Sequence, residues 1–535
     1  MKKLICALLA LIMVLSCGAC ALAESEVYQH IHPYEQTVFV TIMGTDDKDS
    51  VTVYDTSKPD RASANENAWI DAYKNYLNID VKRIICESNE ALTVNLNTMM
   101  ASQELPDVMV VTKDMFKVMV ENEVLADISD AFNSYDGQLW NDIQNSYTDE
   151  IWETGKFDGK LYGIPYVQNF YNSSSCLWVR TDWLEKLNLE VPTTLDELEA
   201  VAQAFVDNKM GGEATVGIGT VKMDDSAFNY SFFADVLAAY GVPVDTWMED
   251  EEGKLVYSST LPSVKEGLLR LQSLYQKGLI SSDFAVTSNM NPSASNGECG
   301  LLCGQPWLAV TCIQNSLLND SEAAWTAVNI PTLDGKPVMQ TTNASVDKFV
   351  VFREGFEHPD VLFRMKELES YAKTRAREGT PEHLLNITED GYKVWNLQVF
   401  RNLERGDLDL YQSELIIKAV ENGDTLENCD PFIAAAYAQV LEGLSGNRAS
   451  EGAAMVFLVS DPVANNLLKA GLLKARYNGP ITESMNLYES TIKASLLSAM
   501  AKVVMGDDVS VFDQAVAEWY ANGGQLITDD VNANR

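Results

Sequence analysis

A chain of 535 residues is too long for one hydrophobic core, and 46 % hydrophobic with 22 % charged residues is a globular composition, which excludes a largely disordered protein. Seventy-seven acidic against 39 basic side chains give a net charge of −38. That field repels phosphate backbones and excludes nucleic acid as a natural partner.

The first residues read as an export signal. Lys2 and Lys3 precede an apolar run from Leu4 to Leu15, too short for a membrane span and suited to a secretory segment. Two cleavage readings stand side by side. Ala21-Leu22-Ala23 suits signal peptidase, making residues 1–23 the signal, while Val14-Leu15-Ser16-Cys17 suits a lipoprotein signal of residues 1–16 with lipid on Cys17. Either way the expected location is extracellular or on the cell surface. Removal of residues 1–23 takes away two lysines, so −38 becomes −40, and leaves six of the nine cysteines: Cys86, Cys176, Cys299, Cys303, Cys312 and Cys429. Their scatter permits disulfides or buried thiols, and lacks the density of a stapled scaffold. Cys299 and Cys303 are spaced like half a zinc site. With four histidines in all, two of them (His30 and His32) near the N-terminus, no metal is expected.

From Thr37 the pattern alternates. Residues 37–43 are an apolar β-branched run, 64–77 have helical composition, and 79–86 alternate Ile79, Val81 and Ile85. Residues 90–102 read as helix and 107–111 as a buried strand. Such alternation predicts an α/β fold with a mostly parallel sheet covered by helices on both faces. The stretch GKFDGKLYGIP (155–165) reads as a hairpin turning at Asp158-Gly159. Thr194 and Glu197 form a capping box opening a helix with Leu195, Leu198, Val201, Ala202 and Phe205 on one stripe. A second helix runs from about Ser263 to Lys277, with Val264, Leu268, Leu271 and Tyr275 in line and Gly278 as its cap. Phe512, Ala515, Val516 and Trp519 repeat at helical spacing before Gly523-Gly524, the mark of a core stripe. No Pro/Ser linker divides the chain, so two lobes would be joined by backbone crossing between them more than once.

Signatures of catalysis are absent: there is no G-x-S-x-G, H-E-x-x-H or G-x-x-x-x-G-K-[ST], and Gly217-x-Gly219 lacks the third glycine of a dinucleotide loop. What stands out is aromatic and amide density beside turns, in YGIPYVQNFYN (162–172) and GQPWLAV (304–310). Flat rings with Gln and Asn suit a neutral polyhydroxylated ligand, although core packing uses the same residues.

At these residues the chain resembles the family 1 extracellular solute-binding proteins, the substrate-capturing subunits of bacterial carbohydrate ABC importers, in the long lipoprotein-type subgroup. The matching blocks are MMASQELPDVMVV (99–111), FDGKLYGIPY (157–166), LWVRTDWLEKLNLEVPTTLDELEAVAQAF (177–205), GKLVYSSTLPSVKEGLLRLQSLYQKGLISSDFA (253–285), NGECGLLCGQPW (296–307) and FDQAVAEWYANGGQLITDDVN (512–532). The resemblance implies a type II periplasmic-binding-protein-like clamshell of two α/β lobes, each a mostly parallel sheet flanked by helices, with a hinge crossed two or three times. Residues 37–165 with about 340–430 would form lobe 1, and 166–339 with about 431–535 lobe 2. Ligand would sit in the interlobe cleft at the carboxyl ends of the strands.

The implied function is capture of a sugar or oligosaccharide without chemistry, and delivery to a membrane permease by a monomer that carries no cofactor. Two competing readings are a secreted carbohydrate-active hydrolase with two carboxylates, and the same fold binding a peptide or other non-sugar solute. By resemblance Asp114 falls where an aspartate binds sugar hydroxyls, its other reading being a helix cap. Trp307 matches a ring that stacks on sugar, its other reading being core, as the following Ala309 and Val310 suggest. Gln168, Asn169 and Tyr171 would face the cleft past the hairpin. Trp178, Arg180, Asp182 and Trp183 match a structural block. Val111 and Met115 replace a stacking tryptophan and a basic residue of maltose-binding relatives, which disfavours maltose. Residues 207–214 carry Lys209 and Gly211 where an EF-hand-like loop needs oxygen ligands, so calcium is not expected there.

Overall fold

The computed structural model describes residues 27–45, 54–147, 149–166, 174–220, 232–280, 284, 291–342, 346, 348–376, 380–386, 392, 394–426, 431–475 and 482–533. Backbone contacts divide the chain into unit 1 (Met1–Gln168, Val346–Gly406, Glu427–Phe432) and unit 2 (Asn169–Ser345, Asp407–Leu426, Ile433–Arg535). The chain passes between them five times by this division, twice around the short stretch Glu427–Phe432, where two or three crossings were expected.

Among the described residues the two larger sheets comprise β1 (Val38–Thr45), β2 (Ile79–Cys86), β3 (Val108–Thr112), β4 (Gly163–Pro165), β5 (Cys176–Arg180), β6 (Gly219–Thr220), β7 (Leu301–Gly304), β8 (Trp325–Val328) and β9 (Lys348–Phe352). Helices that carry the argument are α1 (Ala68–Leu77), α2 (Asn89–Ser102), α3 (Lys113–Glu121), α4 (Leu195–Asp207), α5 (Val264–Gln276), α6 (Val361–Thr374), α7 (Leu408–Asn422), α8 (Ser490–Met505) and α9 (Ser510–Trp519).

Unit 1 is built on the strand order β2-β1-β3-β9-β4. The opening βαβ passages behave as the alternation predicts: β1 runs parallel to β2 from Val38↔Ile79 to Thr45↔Cys86, and parallel to β3 at Ile42↔Val108. Asn67 starts α1 by accepting hydrogen bonds from the amides of Trp69 and Ile70, and Asn78 ends it in the left-handed conformation. Strand β9 pairs antiparallel with both β3 and β4. Four of the five strands therefore run one way, as expected, and β9 alone is reversed between β3 and β4. A strand that returns after a long excursion has no short crossover helix to dictate its direction.

The hairpin stretch folds as read. Lys156–Phe157 pairs antiparallel with Lys160–Leu161, and Asp158 (φ 48°) and Gly159 (φ 76°) both take the positive φ of a type I′ turn. Its other glycines serve close approach: a Cβ on Gly163 would lie 2.9 Å from the Phe116 ring, which itself stacks on Phe349 at 4.2 Å. From there Tyr166 donates its amide to Lys348 O at 2.9 Å, which delivers the chain to the end of β9.

Unit 2 holds the order β6-β7-β5-β8. Strands β6, β7 and β8 run one way, and β5 alone is reversed, pairing antiparallel with β7 and β8. Helix α4 has both bonds of the Thr194–Glu197 capping box, and it buries Leu195, Leu198, Val201, Ala202 and Phe205. Helix α5 buries Val264, Leu268, Leu271 and Leu274, and Gly278 follows it at φ 69°. In α9 Phe512 and Trp519 are buried, with Trp519 stacked on Tyr257 at 5.2 Å. These side chains join α8 in one continuous core. Each buried large apolar side chain contributes about 1.5–3 kcal/mol.

The stretch Asp407–Leu426 was expected with lobe 1 and packs in unit 2. Ile416 and Ala419 of α7 enter a cluster with Leu426, Ile433, Tyr437, Val440 and Ala454, and Ser413 donates to the buried Asp461. The apolar stripe of α7 thus finds its partners later in the chain.

Cys86, Cys176, Cys299, Cys303 and Cys312 are buried free thiols, and Cys429 lies outside the described residues. Cys176 and Cys303 are pushed up by burial and then by Asp235 beside them.

Candidate functional site

The carboxyl ends of β1, β2 and β3 lie together because the strands are parallel, and β9 begins at the same edge because it is antiparallel, with Lys348 opposite Thr112. A pocket opens there in unit 1. Its floor is Ile42, Met43, Gly44, Ile85 and Val110, and its polar wall is Thr45, Arg83, Tyr166, Lys348, Asn396, Gln398 and Arg401. About 570 Å³ of empty space lies in the open depression. A Cβ on Gly44 would come within 3.3 Å of Val110 Cβ, so glycine keeps this floor low.

Each polar group is held from behind. Lys348 Nζ donates to Thr45 Oγ1 at 3.3 Å. Arg83 is fixed at its backbone by Asn65, which accepts from Arg83 N at 2.7 Å and donates to Arg83 O at 3.1 Å. Arg401 Nη1 donates to Asn396 Oδ1 at 3.1 Å, and Tyr166 Oη accepts from Asn402 N at 3.4 Å.

The wall segment 394–401 opens with a short 3₁₀ turn, Val394–Leu397, and three anchors set its place. Trp69 Nε1 donates to Val394 O at 3.1 Å, Tyr73 Oη accepts from Val399 N at 3.3 Å, and Lys366 Nζ donates to Phe400 O at 3.0 Å. Behind them Lys366 and Tyr73 both bond Glu369, in a pair only 2 % and 1 % exposed. Burial, then the Glu369 charge, pushes the Tyr73 hydroxyl well above its ordinary range, so it stays a neutral donor. Unpaired, either ion would be costly; paired and hydrogen-bonded, they rigidify the wall.

The residues expected to bind ligand fare differently. Asp114 is exposed in the first turn of α3 in unit 1, and the cap is Thr112, whose Oγ1 accepts from Met115 N at 3.4 Å. Trp307 lies in a short 3₁₀ turn, Pro306–Val310, of unit 2, half-buried against the apolar cluster that includes Leu308, Cys312 and Met455. Ala309 beside it is buried as expected, but Val310 is 49 % exposed, because the turn rotates it away from the cluster. Gln305, next to the turn, is buried with its Oε1 lacking a hydrogen-bond partner. Gln168, Asn169, Tyr171 and Cys17 lie outside the described residues. Val111 and Met115 are both buried in unit 1, so neither presents a side chain to solvent.

Structural roles hold for the block at 178–183. Arg180 is 1 % exposed, bonds Asp182 at 2.7 and 2.8 Å and Asp320 at 2.9 Å, and lies over the Trp183 ring. Lys209, in the loop compared with an EF-hand, pairs with Glu213.

Sequence reading missed the whole cationic wall. The signal was there: Arg83 interrupts the apolar pattern of IDVKRIIC near its carboxyl end, and Lys348 opens KFVVF. Nothing in the spacing joins them to Arg401.

Residues 58–311 match the model of the family described as bacterial extracellular solute-binding protein. Among curated proteins the chain is 34 % identical over 152 residues to the polygalacturonan/rhamnogalacturonan-binding protein YtcQ of Bacillus subtilis, covering 28 % of this chain and 29 % of that one. It is 25 % identical over 262 residues to Lipoprotein LipO of Bacillus subtilis, covering 48 % and 50 %. With the fructooligosaccharide ABC transporter substrate-binding protein FusA of Streptococcus pneumoniae it shares 26 % over 141 residues, 24 % of this chain and 25 % of FusA. These matches span between a quarter and a half of the curated relatives' length.

Among solved structures, an HMO-binding ABC-transporter-associated solute-binding protein from Bifidobacterium longum infantis has a TM-score of 0.55 at 14 % identity, covering 94 % of this chain and 98 % of that one. The alginate-binding protein AlgQ2 gives 0.53 at 14 % identity, with the same coverage. The fold is thus that of the solute-binding proteins, a type II periplasmic-binding-protein-like α/β fold of two units. Over residues 58–311, just under half of its length, the chain is similar to the bacterial extracellular solute-binding proteins.

Proposed function

We propose that this protein captures a sugar or oligosaccharide outside the cell and delivers it to the membrane permease of an ABC importer, binding its ligand without turning it over. The observation that carries the reading is the carboxyl-edge pocket of unit 1, where Thr45, Tyr166, Asn396 and Gln398 offer hydroxyl and amide groups to a polyhydroxylated ligand. YtcQ and FusA, named for binding carbohydrate polymers or oligosaccharides, support the class of ligand.

In this reading Trp307 offers a ring face for stacking on a sugar, and Asp114, Gln168, Asn169 and Tyr171 are further contacts to ligand hydroxyls. Gln305 joins them as an acceptor that a ligand hydroxyl can satisfy. The chain is a monomer, exported through its N-terminal segment. The relative LipO, a named lipoprotein, supports lipid on Cys17.

A thermal-shift screen of the mature protein against mono- and oligosaccharides, with product analysis of each mixture, tests the reading. Stabilisation by a glycan without product supports capture, because a ligand that binds only the folded state raises the melting temperature. Turnover would establish an enzyme instead, and the absence of any glycan response would remove the sugar assignment. Mass spectrometry of the mature N-terminus decides between a free chain starting at Glu24 and one lipidated at Cys17. Gel filtration checks the monomer.

A further inference from the structure

The wall segment 394–401 meets the pocket through Asn396, Gln398, Val399 and Arg401. Its backbone is gripped between them: Val394 O accepts from Trp69, Val399 N donates to the Tyr73 hydroxyl, and Phe400 O accepts from Lys366. Every pocket side chain of the segment therefore stands within two residues of a pinned backbone group, or on one. Trp69 and Tyr73 lie one turn apart on α1, and Lys366 and Glu369 one turn apart on α6, so two helices share the grip.

Stability alone does not account for an ion pair in this place. Lys366 and Glu369 are sealed from water, with Lys366 Nζ donating to the carboxylate at 2.6 Å and Tyr73 Oη donating to it at 2.5 Å. Burying two ions forfeits their hydration, and their attraction offsets only about that loss. Apolar side chains of like volume would hold α6 to its neighbours as well or better. An apolar side chain, however, has no donor for Phe400 O. Backbone that leaves regular structure needs such partners, and it moves toward water when it loses them.

We infer that Lys366 is a positioning residue for ligand binding: with Glu369 and Tyr73 it fixes where Asn396 and Gln398 stand in the pocket, and the buried pair serves the pocket wall rather than the stability of unit 1. The inference rests on the capture reading and adds to it the device that sets affinity. Lys366, at 2 % exposure, is out of a ligand's reach and acts through Phe400 O on the residues to either side. A hydrogen bond weakens steeply away from its preferred length and angle, so a wall displaced by about 1 Å loses its bonds to a ligand.

The test is the double variant Lys366→Met with Glu369→Gln, which removes both charges, keeps the volume and leaves Tyr73 an acceptor. Titration calorimetry of the mature parent and variant with trigalacturonate, galactotriose, mannotriose and kestose gives affinities, and melting curves without ligand give stability. The variant is expected to melt within about 5 °C of the parent. It should bind the parent's best glycan about 10- to 100-fold more weakly, and exchange amide hydrogens faster in 394–401 than in β1 to β3. Gln398→Ala should weaken the parent but add little to the loss in the double variant, because both act through one wall. Binding as tight as the parent's, a melting point lowered by more than about 5 °C, or full additivity with Gln398→Ala would each overturn the inference and leave capture standing. Failure of the parent to bind any of the four glycans would overturn both.

Discussion

In unit 1 the basic groups Arg83, Lys348 and Arg401 line a pocket open to solvent, whereas in unit 2 the acids Asp235 and Asp461 are sealed beside hydroxyls. Ser175 Oγ donates to Asp235 at 2.8 Å, and Ser413 donates to Asp461. Burial pushes both carboxyls up to about 7, only partly offset by those hydroxyls, and for Asp461 the nearby Asp409 adds to the rise. The contrast teaches where each unit keeps its electrostatic work. A charge at an open pocket stays in reach of water; a charge inside a core titrates before it pays for ionisation.

Unit 2 also contains the counter-example that sharpens the contrast. Arg180 is buried with its guanidinium paired to Asp182 and Asp320. Replacing it with methionine leaves Asp182 without both guanidinium bonds and with only the longer Lys186 contact at 3.7 Å. The expected cost is about 3–5 kcal/mol, read as a lowered melting temperature, and an unchanged melt would show that this network is not structural.

Next in size is the response of Asp235 to pH. Its folded value near 7 exceeds the unfolded value near 3.8, so the folded state holds the proton more tightly, and the associated stability is present below pH 4 and lost as pH rises to 7. Asp235→Asn removes this loss. The variant should gain about 2–4 kcal/mol on the parent between pH 4 and pH 8, measured by denaturant unfolding at both, and parallel pH profiles would contradict the sealed-acid account.

In unit 1 the wall behind the cations is the place to press. Tyr73→Phe deletes the acceptor for Val399 N and the donor to Glu369, at an expected cost of about 1–3 kcal/mol. Because segment 394–401 carries Asn396, Gln398 and Arg401, hydrogen exchange should rise there more than in β1 to β3. Uniform exchange would mean that Tyr73 does not position the wall. The smallest effect belongs to the Thr194 cap in unit 2, where Thr194→Ala should cost about 1 kcal/mol and leave ligand affinity unchanged.

Local patterning made much of the fold legible. The span of β2, the capping box and apolar stripe of α4, and the Asp158-Gly159 turn follow from period, cap chemistry and positive φ, which neighbours in sequence impose on one another. The antiparallel placement of β9 and the membership of α7 in unit 2 did not follow, since both depend on partners far along the chain. The candidate site divides in the same way. Asp114 and Trp307 were visible as motif residues, and the structure places one exposed on a helix and the other half-buried in a turn. Arg83, Lys348 and Arg401 were invisible as a set, although each is plain in the sequence.

By itself, then, the sequence determined the α/β class, the helix caps, the hairpin and the likeness to the solute-binding proteins, because these rest on contacts within a few residues or on ordered blocks of sequence. Tertiary structure alone decided that three cations from residues 83, 348 and 401 share one pocket. Parallel strands bring their carboxyl ends to a common edge whatever their separation in the chain, and buried hydrogen bonds from Trp69, Tyr73 and Lys366 hold the last wall against it.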